Sequence, residues 1–309
     1  MTRKPIVSVV IPTYERPLLV ERAVKSALGQ TLRDIEVIVV TDGPETITQA
    51  ALSKINDSRL RIVSLHSHQG ANAARNRGIA EAQGEWSAFL DDDDEWLPTK
   101  LQEQLAVACN TKAEYPIISC FILARETSKE SVRADRLPGP REMLSEFLCV
   151  DNPFRPRGII TTSTVLAKKK LFEKVAFSNN LSQLQDLDWV LRAAATPGVK
   201  VEFVPRILLI WHVEEERKRI GNATNWRGML SWIRERRSLV TPRAYAGIIL
   251  GTIAYRAKIS GDKNGFFLLL REAVLFGNPS FIILAGFFYK WFIPEGLRKQ
   301  IKLLMEGQR

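Results

Sequence analysis

Four apolar, β-branched-rich runs of strand length, Ile6 to Ile11, Ile35 to Val40, Leu60 to Leu65 and Trp86 to Leu90, are separated by three helical patterns. The helical stretches are Leu18 to Leu28, Glu45 to Lys54 and Ala71 to Gln83, the last with Ala74, Ile79 and Ala82 available for one face. This alternation constrains the fold more tightly than anything else in the chain. It implies βαβ units around a mostly parallel central sheet flanked by helices, an α/β fold class in which ligands collect at the carboxyl ends of the strands. Those ends carry polar residues: Pro12, Thr13 and Tyr14 after the first run, Asp42 and Gly43 after the second, Asp91 to Asp94 after the fourth.

Beyond them the pattern reads as a helix from Pro98 to about Asn110 and a strand from Pro116 to Leu123. A polar segment from Glu126 to Arg157 follows, of a length that suits a functional loop or insert. Ile159 to Ala167 reads as a strand, Lys168 to Val175 as a short helix, and a further helix starts near Gln185. Val199 to Val204 and Ile207 to Val213 read as closing strands. From Thr224 onward only helices are expected: Trp226 to Leu239, Pro242 to Ile259, Asp262 to Phe276, Pro279 to Phe292 and Pro294 to Met305, with prolines near several starts where a missing N–H costs nothing. Residues 1–223 are therefore expected to form one domain and 224–309 a helical C-terminal region.

Charge follows the same division. The net charge is +10, yet residues 225–309 hold 14 Lys and Arg against 5 Asp and Glu, which leaves the first 224 residues close to neutral. Such asymmetry points to a polyanionic surface, lipid or nucleic acid, for the basic part. No nucleic-acid-binding motif accompanies it, so nucleic acid is not expected as a partner. The run FIILAGFFYKWFI, residues 281–293, is short of the ~20 residues a membrane span needs. With Trp291, Arg298, Lys299 and Lys302 it can lie in a bilayer interface on anionic headgroups, or its helices can pack on the rest of the chain; the pattern serves both. Cys109, Cys120 and Cys149 form no C-x-x-C pair and are expected as buried thiols. Arg3 and Lys4 precede an apolar stretch that Pro12 ends short of the ~7–15 residues of a signal-peptide core, which gives a cytoplasmic expectation.

The chemistry centres on Asp91-Asp92-Asp93-Asp94. Adjacent carboxylates repel unless a cation neutralises them, and an isolated acidic run is often only a solvated loop or helix cap. Directly after a buried strand, such a run can instead hold Mg²⁺ or Mn²⁺ against a nucleotide diphosphate, since one or two carboxylates plus phosphates suffice.

The segments VSVVIPTYERP, IEVIVVTDGP, GANAARNRGIAEAQGEWSAFLDDDDEWLPTKL and LQDLDWVLRA, in that order, resemble the inverting family 2 glycosyltransferases of GT-A fold, over roughly residues 6 to 215. The resemblance implies a nucleotide-diphospho-sugar transferase fold with a mostly parallel sheet, followed here by an all-helical region. It implies that Pro12, Thr13, Tyr14 and Glu15, together with Asp42, hold the nucleotide base, with Tyr14 against the ring, and that Arg75 lies near the nucleotide. On the family's DXD motif, Asp93 binds the metal, Mn²⁺ or Mg²⁺, while Asp91 or Asp92 contacts ribose or a water of the metal. Asp94 reads as a helix N-terminal charge, and Trp96 and Pro98 as structural. Asp186 matches the general base that deprotonates the acceptor hydroxyl, and Asp188 reads as structural. His212 matches a histidine that approaches the metal or diphosphate; a structural histidine is the alternative. His66 and His68 read as surface residues.

The sequence departs from the family pattern at Thr41, Pro44 and Gln185, which bears on donor recognition and on the acidity of Asp186. The expected activity is transfer of a sugar from a nucleotide-sugar, a UDP-sugar by expectation, to a saccharide or lipid-linked acceptor in cell-surface polysaccharide biosynthesis. A peripheral position on the inner membrane face goes with it. The alternatives are a nucleotidyltransferase, or a catalytically silent nucleotide-sugar or glycan-binding protein.

Overall fold

The computed structural model describes residues 4–126, 129–133, 135–151, 157–213, 225–294, 296–298 and 300. The chain divides into two compact units, residues 1–137 with 159–218, and residues 138–158 with 219–309.

In the first unit, β1 (Val7–Thr13) and β2 (Ile35–Thr41) are buried at every position, as strands covered on both faces must be. With β3 (Leu60–Ser64) and β4 (Trp86–Phe89) they form a parallel half-sheet in the order β3-β2-β1-β4. The crossovers are α1 (Pro17–Leu28), α2 (Thr46–Leu52) and α3 (Ala71–Glu81). Beyond β4 the sheet becomes mixed. It continues through β8 (Leu166–Lys168), β6 (Tyr115–Arg125), β9 (Val199–His212) and β5 (Asp94–Trp96), and β7 (Glu130–Val132) pairs with β6. α4 (Lys100–Asn110), α6 (Lys169–Lys174) and α7 (Gln185–Ala194) complete the unit. The fold is the expected α/β sheet flanked by helices.

Several local expectations need correction. The closing strands Val199 to Val204 and Ile207 to Val213 are one strand, β9. Its register against β6 jumps from Val204 to Ile207 across Pro205, which has no N–H to give a ladder. Ile159 to Ala167 is not a strand throughout: Thr162–Thr164 form a 3₁₀ turn, and β8 begins at Leu166. The cause is local hydroxyl chemistry, since both the N–H and the Oγ1 of Thr164 donate to the Thr161 carbonyl, at 3.0 and 2.8 Å. Asp94 is not at a helix start. It is a buried member of β5 opposite Trp211, and α4 begins only at Lys100. Cys109 is exposed, because the buried face of α4 runs through Leu101, Gln104 and Ala108; Cys120 and Cys149 are buried as expected.

The polar segment 126–157 is only partly loop. It contains β7 and the helix α5 (Leu144–Cys149), and its later part belongs to the second unit. There α5 packs on α9 (Pro242–Ile248), where Thr241 donates its N–H to Ser145 and its hydroxyl to Glu146. The unit also holds α8 (Trp226–Glu235), α10 (Ala254–Ile259), α11 (Asn264–Phe276) and α12 (Phe281–Phe292); a π-helical turn, Ile249–Ile253, joins α9 to α10. A buried Glu272 on α11 ties the unit together. It accepts from Tyr245 Oη at 2.7 Å and from Arg234 at 2.9 and 2.6 Å. The expected boundary at 223, Lys299, Lys302 and most of the helix expected from Pro294 to Met305 lie outside the described residues.

α3 can approach β1 closely only because position 78 is glycine. A Cβ there would meet Val10 Cγ1 at 2.2 Å. Gly78→Ala is therefore expected to destabilise the protein by about 1–3 kcal/mol through overpacking. Gly286→Ala, on α12 with nothing within 4 Å of the added carbon, is expected to hold or slightly raise stability. Thermal unfolding of the two variants checks the opposite signs.

Candidate active site

Gly70 precedes α3 with φ of 92°, a conformation that glycine adopts without strain. Asp42, just past β2, fixes this entry by accepting the N–H groups of Gln69 at 2.7 Å and Gly70 at 2.8 Å. Arg75, about one turn into α3, is 4% exposed. One of its nitrogens donates to Asp91 Oδ1 at 2.7 Å, and the other to Asn72 Oδ1 at 3.1 Å and Gln185 Oε1 at 3.0 Å. Burial works against the guanidinium charge, but Asp91, Asp186 and Asp92 outweigh it and raise its pKa. Gln185, a departure from the family pattern, is thus a direct partner of Arg75.

Asp91 is further held by the 162–164 turn: its N–H donates to Ser163 Oγ at 3.0 Å, and Thr162 Oγ1 donates to its carboxylate at 3.3 Å. The turn itself is fastened from behind. Trp96 Nε1 donates to the Ser163 carbonyl and Gln104 Nε2 to the Thr164 carbonyl. Gln104 in turn accepts from the fully buried Lys100, whose Nζ lies 4.0 Å from the centroid of the Trp96 ring. Trp96 is structural, as expected.

Asp92 is buried, accepting from Thr13 Oγ1 at 2.8 Å and Arg16 at 3.1 Å. Burial first, then the neighbouring Asp93, push its pKa up to about 6 against the pull of Arg16. Arg16 also lies 3.6 Å from Asp93, and Arg22 donates to the Asp93 carbonyl at 2.8 Å.

Asp186, in the first turn of α7, lines a small recess with Phe89, Thr162, Val165, Phe172, Phe177, Trp189 and Val190. Burial among these side chains pushes its pKa up to about 6, opposed by Arg75 and reinforced by Asp91, with Thr162 hydrogen bonds pulling it down. Asp188 is structural, as expected: it accepts from Ser178 and Arg192, at 2.9 and 2.8 Å.

A second group adjoins along the chain. Tyr14 is 43% exposed, and its ring centroid lies 4.4 Å from that of His68. His68 Nδ1 is 3.0 Å from Asp42 Oδ2, so this exposed histidine is tied to the candidate base-binding residues. Glu15, at φ of 52°, donates its N–H to Glu45, and Pro12 is buried in β1 beside Val40. His212 closes β9 with its Nε2 3.0 Å from Glu95 Oε2.

The fold thus pairs Arg75 with Asp91 and sets it within the fields of Asp186 and Asp92, Arg16 joins Asp92 to Asp93, and His212 is engaged with Glu95. Sequence reasoning missed Arg16, Thr162, Ser163 and His68. Arg16 lay beside the Pro12 to Glu15 segment, and the run of hydroxyls from Thr161 to Thr164 was the available signal for the turn.

Among the described residues no group of three or more His, Cys, Asp or Glu side chains is arranged to hold a metal ion. The donor chemistry nevertheless fits a hard cation that keeps phosphate ligands. Asp91 and Asp93 side chains are 31% and 22% exposed, whereas the 7% exposed Asp92 is engaged by Thr13 and Arg16.

Comparison with known proteins gives a consistent picture. The model of glycosyl transferase family 2 matches residues 8–176. The succinoglycan biosynthesis protein ExoO of Rhizobium meliloti is 38% identical over 219 residues, 68% of this chain and 62% of ExoO. WfaP of Escherichia coli, a UDP-Glc:alpha-D-GlcNAc-diphosphoundecaprenol beta-1,3-glucosyltransferase, is 37% identical over 100 residues, 32% of this chain and 40% of WfaP. The chain therefore spans less than two thirds of either relative. In fold it is similar to the mannosyltransferase PcManGT of Pyrobaculum calidifontis, solved with GDP-Man and Mn²⁺, at a TM-score of 0.55 and 19% identity, covering 89% of this chain and 81% of that one.

Asp186 supplies a stability test. Its folded pKa lies above the ordinary carboxylate value, so its contribution is fully present below about pH 4 and is lost as pH rises through about 6. Asp186→Asn is expected to unfold at a higher temperature than the parent at pH 7.5, with the gap closing toward pH 4. Thermal unfolding across pH 4–7.5 measures it.

Proposed function

The chain belongs to glycosyl transferase family 2, and from that premise we propose that it transfers a sugar, with inversion at the anomeric carbon, from a UDP-sugar to a hydroxyl of a saccharide or lipid-linked acceptor. The setting we propose is cell-surface polysaccharide biosynthesis at the inner membrane face. The observation that carries this reading is the carboxylate of Asp186, held in an aromatic-lined recess with a raised proton affinity and linked through Arg75 and Thr162 to Asp91. The succinoglycan and diphosphoundecaprenol relatives support the polysaccharide setting and the lipid-linked acceptor.

In this mechanism Asp186 accepts the proton of the acceptor hydroxyl. The hydroxyl oxygen forms a bond to the anomeric carbon from the face opposite the diphosphate. The bond from that carbon to the diphosphate oxygen breaks, and the electron pair leaves with the nucleoside diphosphate. A pKa near 6 leaves Asp186 ionised at neutral pH and a stronger base than an ordinary aspartate. Arg75 orients Asp91 and Gln185 around this carboxylate. Tyr14 offers its ring to the nucleobase, with Asp42, His68 and the Pro12 to Glu15 segment around it; Asp91 and Asp92 serve the ribose side.

Asp93 would hold Mn²⁺ or Mg²⁺ together with the donor's phosphates, and His212 would join it on leaving Glu95, its partner at 3.0 Å. When bound, such an ion supplies Lewis-acid stabilisation of the departing diphosphate.

Asp186→Asn is expected to keep donor binding while turnover falls by about 10²–10⁴-fold. Asp93→Ala is expected to lose both metal-dependent donor binding and turnover. Donor binding is read as the thermal shift produced by UDP with Mn²⁺, alongside GDP and dTDP as controls. Turnover is read as UDP release, and the anomer of the product by NMR. An Asp186→Asn protein with undiminished turnover removes the base assignment. Parent kcat/KM is expected to fall as pH drops below about 6, where Asp186 takes up its proton.

A further inference from the structure

Helices on the surface of a water-soluble domain turn their polar face outward. α11 and α12 do the reverse. On α11 the exposed positions Phe267, Leu268, Arg271, Val274 and Leu275 form a helical stripe with a single cation, Phe267 being 75% exposed. On α12 the outward stripe is Phe281, Ala285, Phe288, Tyr289 and Phe292, with Phe281 84% exposed and Phe292 64%. The stripes meet at Phe266, whose ring lies 5.0 Å from Phe267 on one side and 5.9 and 5.4 Å from Phe288 and Phe292 on the other. The buried Phe266 thus brings the start of the α11 stripe, at Phe267, beside the end of the α12 stripe, at Phe288 and Phe292.

Its charge is one-sided. From Lys263 to Ile293 the sole acidic residue is Glu272, and that carboxylate is buried beneath Tyr245 and Arg234. Arg271 stands in the α11 stripe, and the exposed Lys263 precedes it. The region 225–309 carries nine more basic than acidic residues. At 13 and 12 residues the two helices are too short to span a bilayer, and among the described residues no helix is long and apolar enough to do so. The neighbouring acids are paired, Asp151 with Lys290 at 3.4 Å and Asp262 with Arg227 at 2.7 Å, and an apolar face with exposed Lys263 and Arg271 suits a helix lying in the plane of an anionic bilayer interface.

We propose that the outer faces of α11 and α12 are a docking surface for an anionic lipid bilayer, with Phe267, Phe281, Phe288 and Phe292 entering the boundary between headgroups and acyl chains and Arg271 and Lys263 pairing with headgroups. This deepens the proposed function and rests on its lipid-linked acceptor for its purpose, while its test needs no transfer reaction.

The test is co-sedimentation of the full chain with vesicles of phosphatidylcholine alone and of phosphatidylcholine with phosphatidylglycerol. The parent is expected to sediment with the anionic vesicles and to stay in solution with the neutral ones. The double variant Phe267→Ser with Phe281→Ser is expected to lose about tenfold or more in partition. Both positions are exposed, so its thermal midpoint should match that of the parent. Arg271→Gln with Lys263→Gln is expected to weaken binding and flatten its salt dependence. A folded parent that ignores anionic vesicles overturns the proposal, as does equal partition into neutral ones or a double variant that binds like the parent. A patch that instead makes a dimer, broken by the same two serines with no vesicle binding by the parent, also overturns it. An active transferase that ignores vesicles removes the docking surface alone; a vesicle-binding protein with no transfer removes the proposed function alone.

Discussion

The first unit depends on one buried cation. Arg75 is almost wholly removed from water, a position that a guanidinium tolerates only with hydrogen-bonded, charged partners. Its charged partner is Asp91 past β4, and its neutral partners are Gln185 at the head of α7, 110 residues away, and Asn72 on its own helix. Each link fixes an element end against the others. Removing the guanidinium would leave Asp91 and Asp186 facing each other without the cation between their fields, and the site would lose its electrostatic centre along with its geometry.

The carboxylates are nevertheless oversubscribed. Arg75 and Arg16 face Asp91, Asp92, Asp93 and Asp186, and the upward pKa shifts at Asp92 and Asp186 come first from burial and then from the neighbouring aspartates. Closely spaced aspartates raise one another's proton affinity, and an added positive charge opposes that. Burial makes the same acids responsive to a ligand. At Asp186 the aromatic recess, more than its acidic neighbour, lifts the proton affinity, so the packing of Phe89, Phe172, Phe177 and Trp189 tunes the chemistry of α7.

What the sequence revealed and what it hid follow from the range of the forces involved. β1, β2 and β4 were legible because strands buried on both faces are continuous apolar runs, and Asp91 to Asp93 because they directly follow one. The bulge at Pro205, the hydroxyl-driven turn at Thr162 to Thr164 and the strand position of Asp94 depend on what lies across the sheet, which local pattern does not encode. His68 looked like surface and is exposed, yet its pairing with Asp42 and Tyr14 arises only when β1, β2 and the entry to α3 are brought side by side. Lys100 gave no sequence signal at all. Its burial against Trp96 and Gln104 is a tertiary arrangement that stiffens the turn behind Asp91.

The basic end of the chain shows why total charge is a poor guide to function until it is located. A surplus spread over the whole molecule would act mainly through its long-range field. Here the catalytic candidates lie in a stretch whose charges nearly cancel overall, and the surplus lies in the region whose helices α11 and α12 turn apolar faces outward. Neither apolar area nor charge specifies a membrane by itself, since core helices have the first and solvated helices the second. Their coincidence on α11 and α12, with the one acid of these two helices withdrawn beneath Arg234 and Tyr245, leaves a face that is poorly suited to water and well suited to an anionic interface.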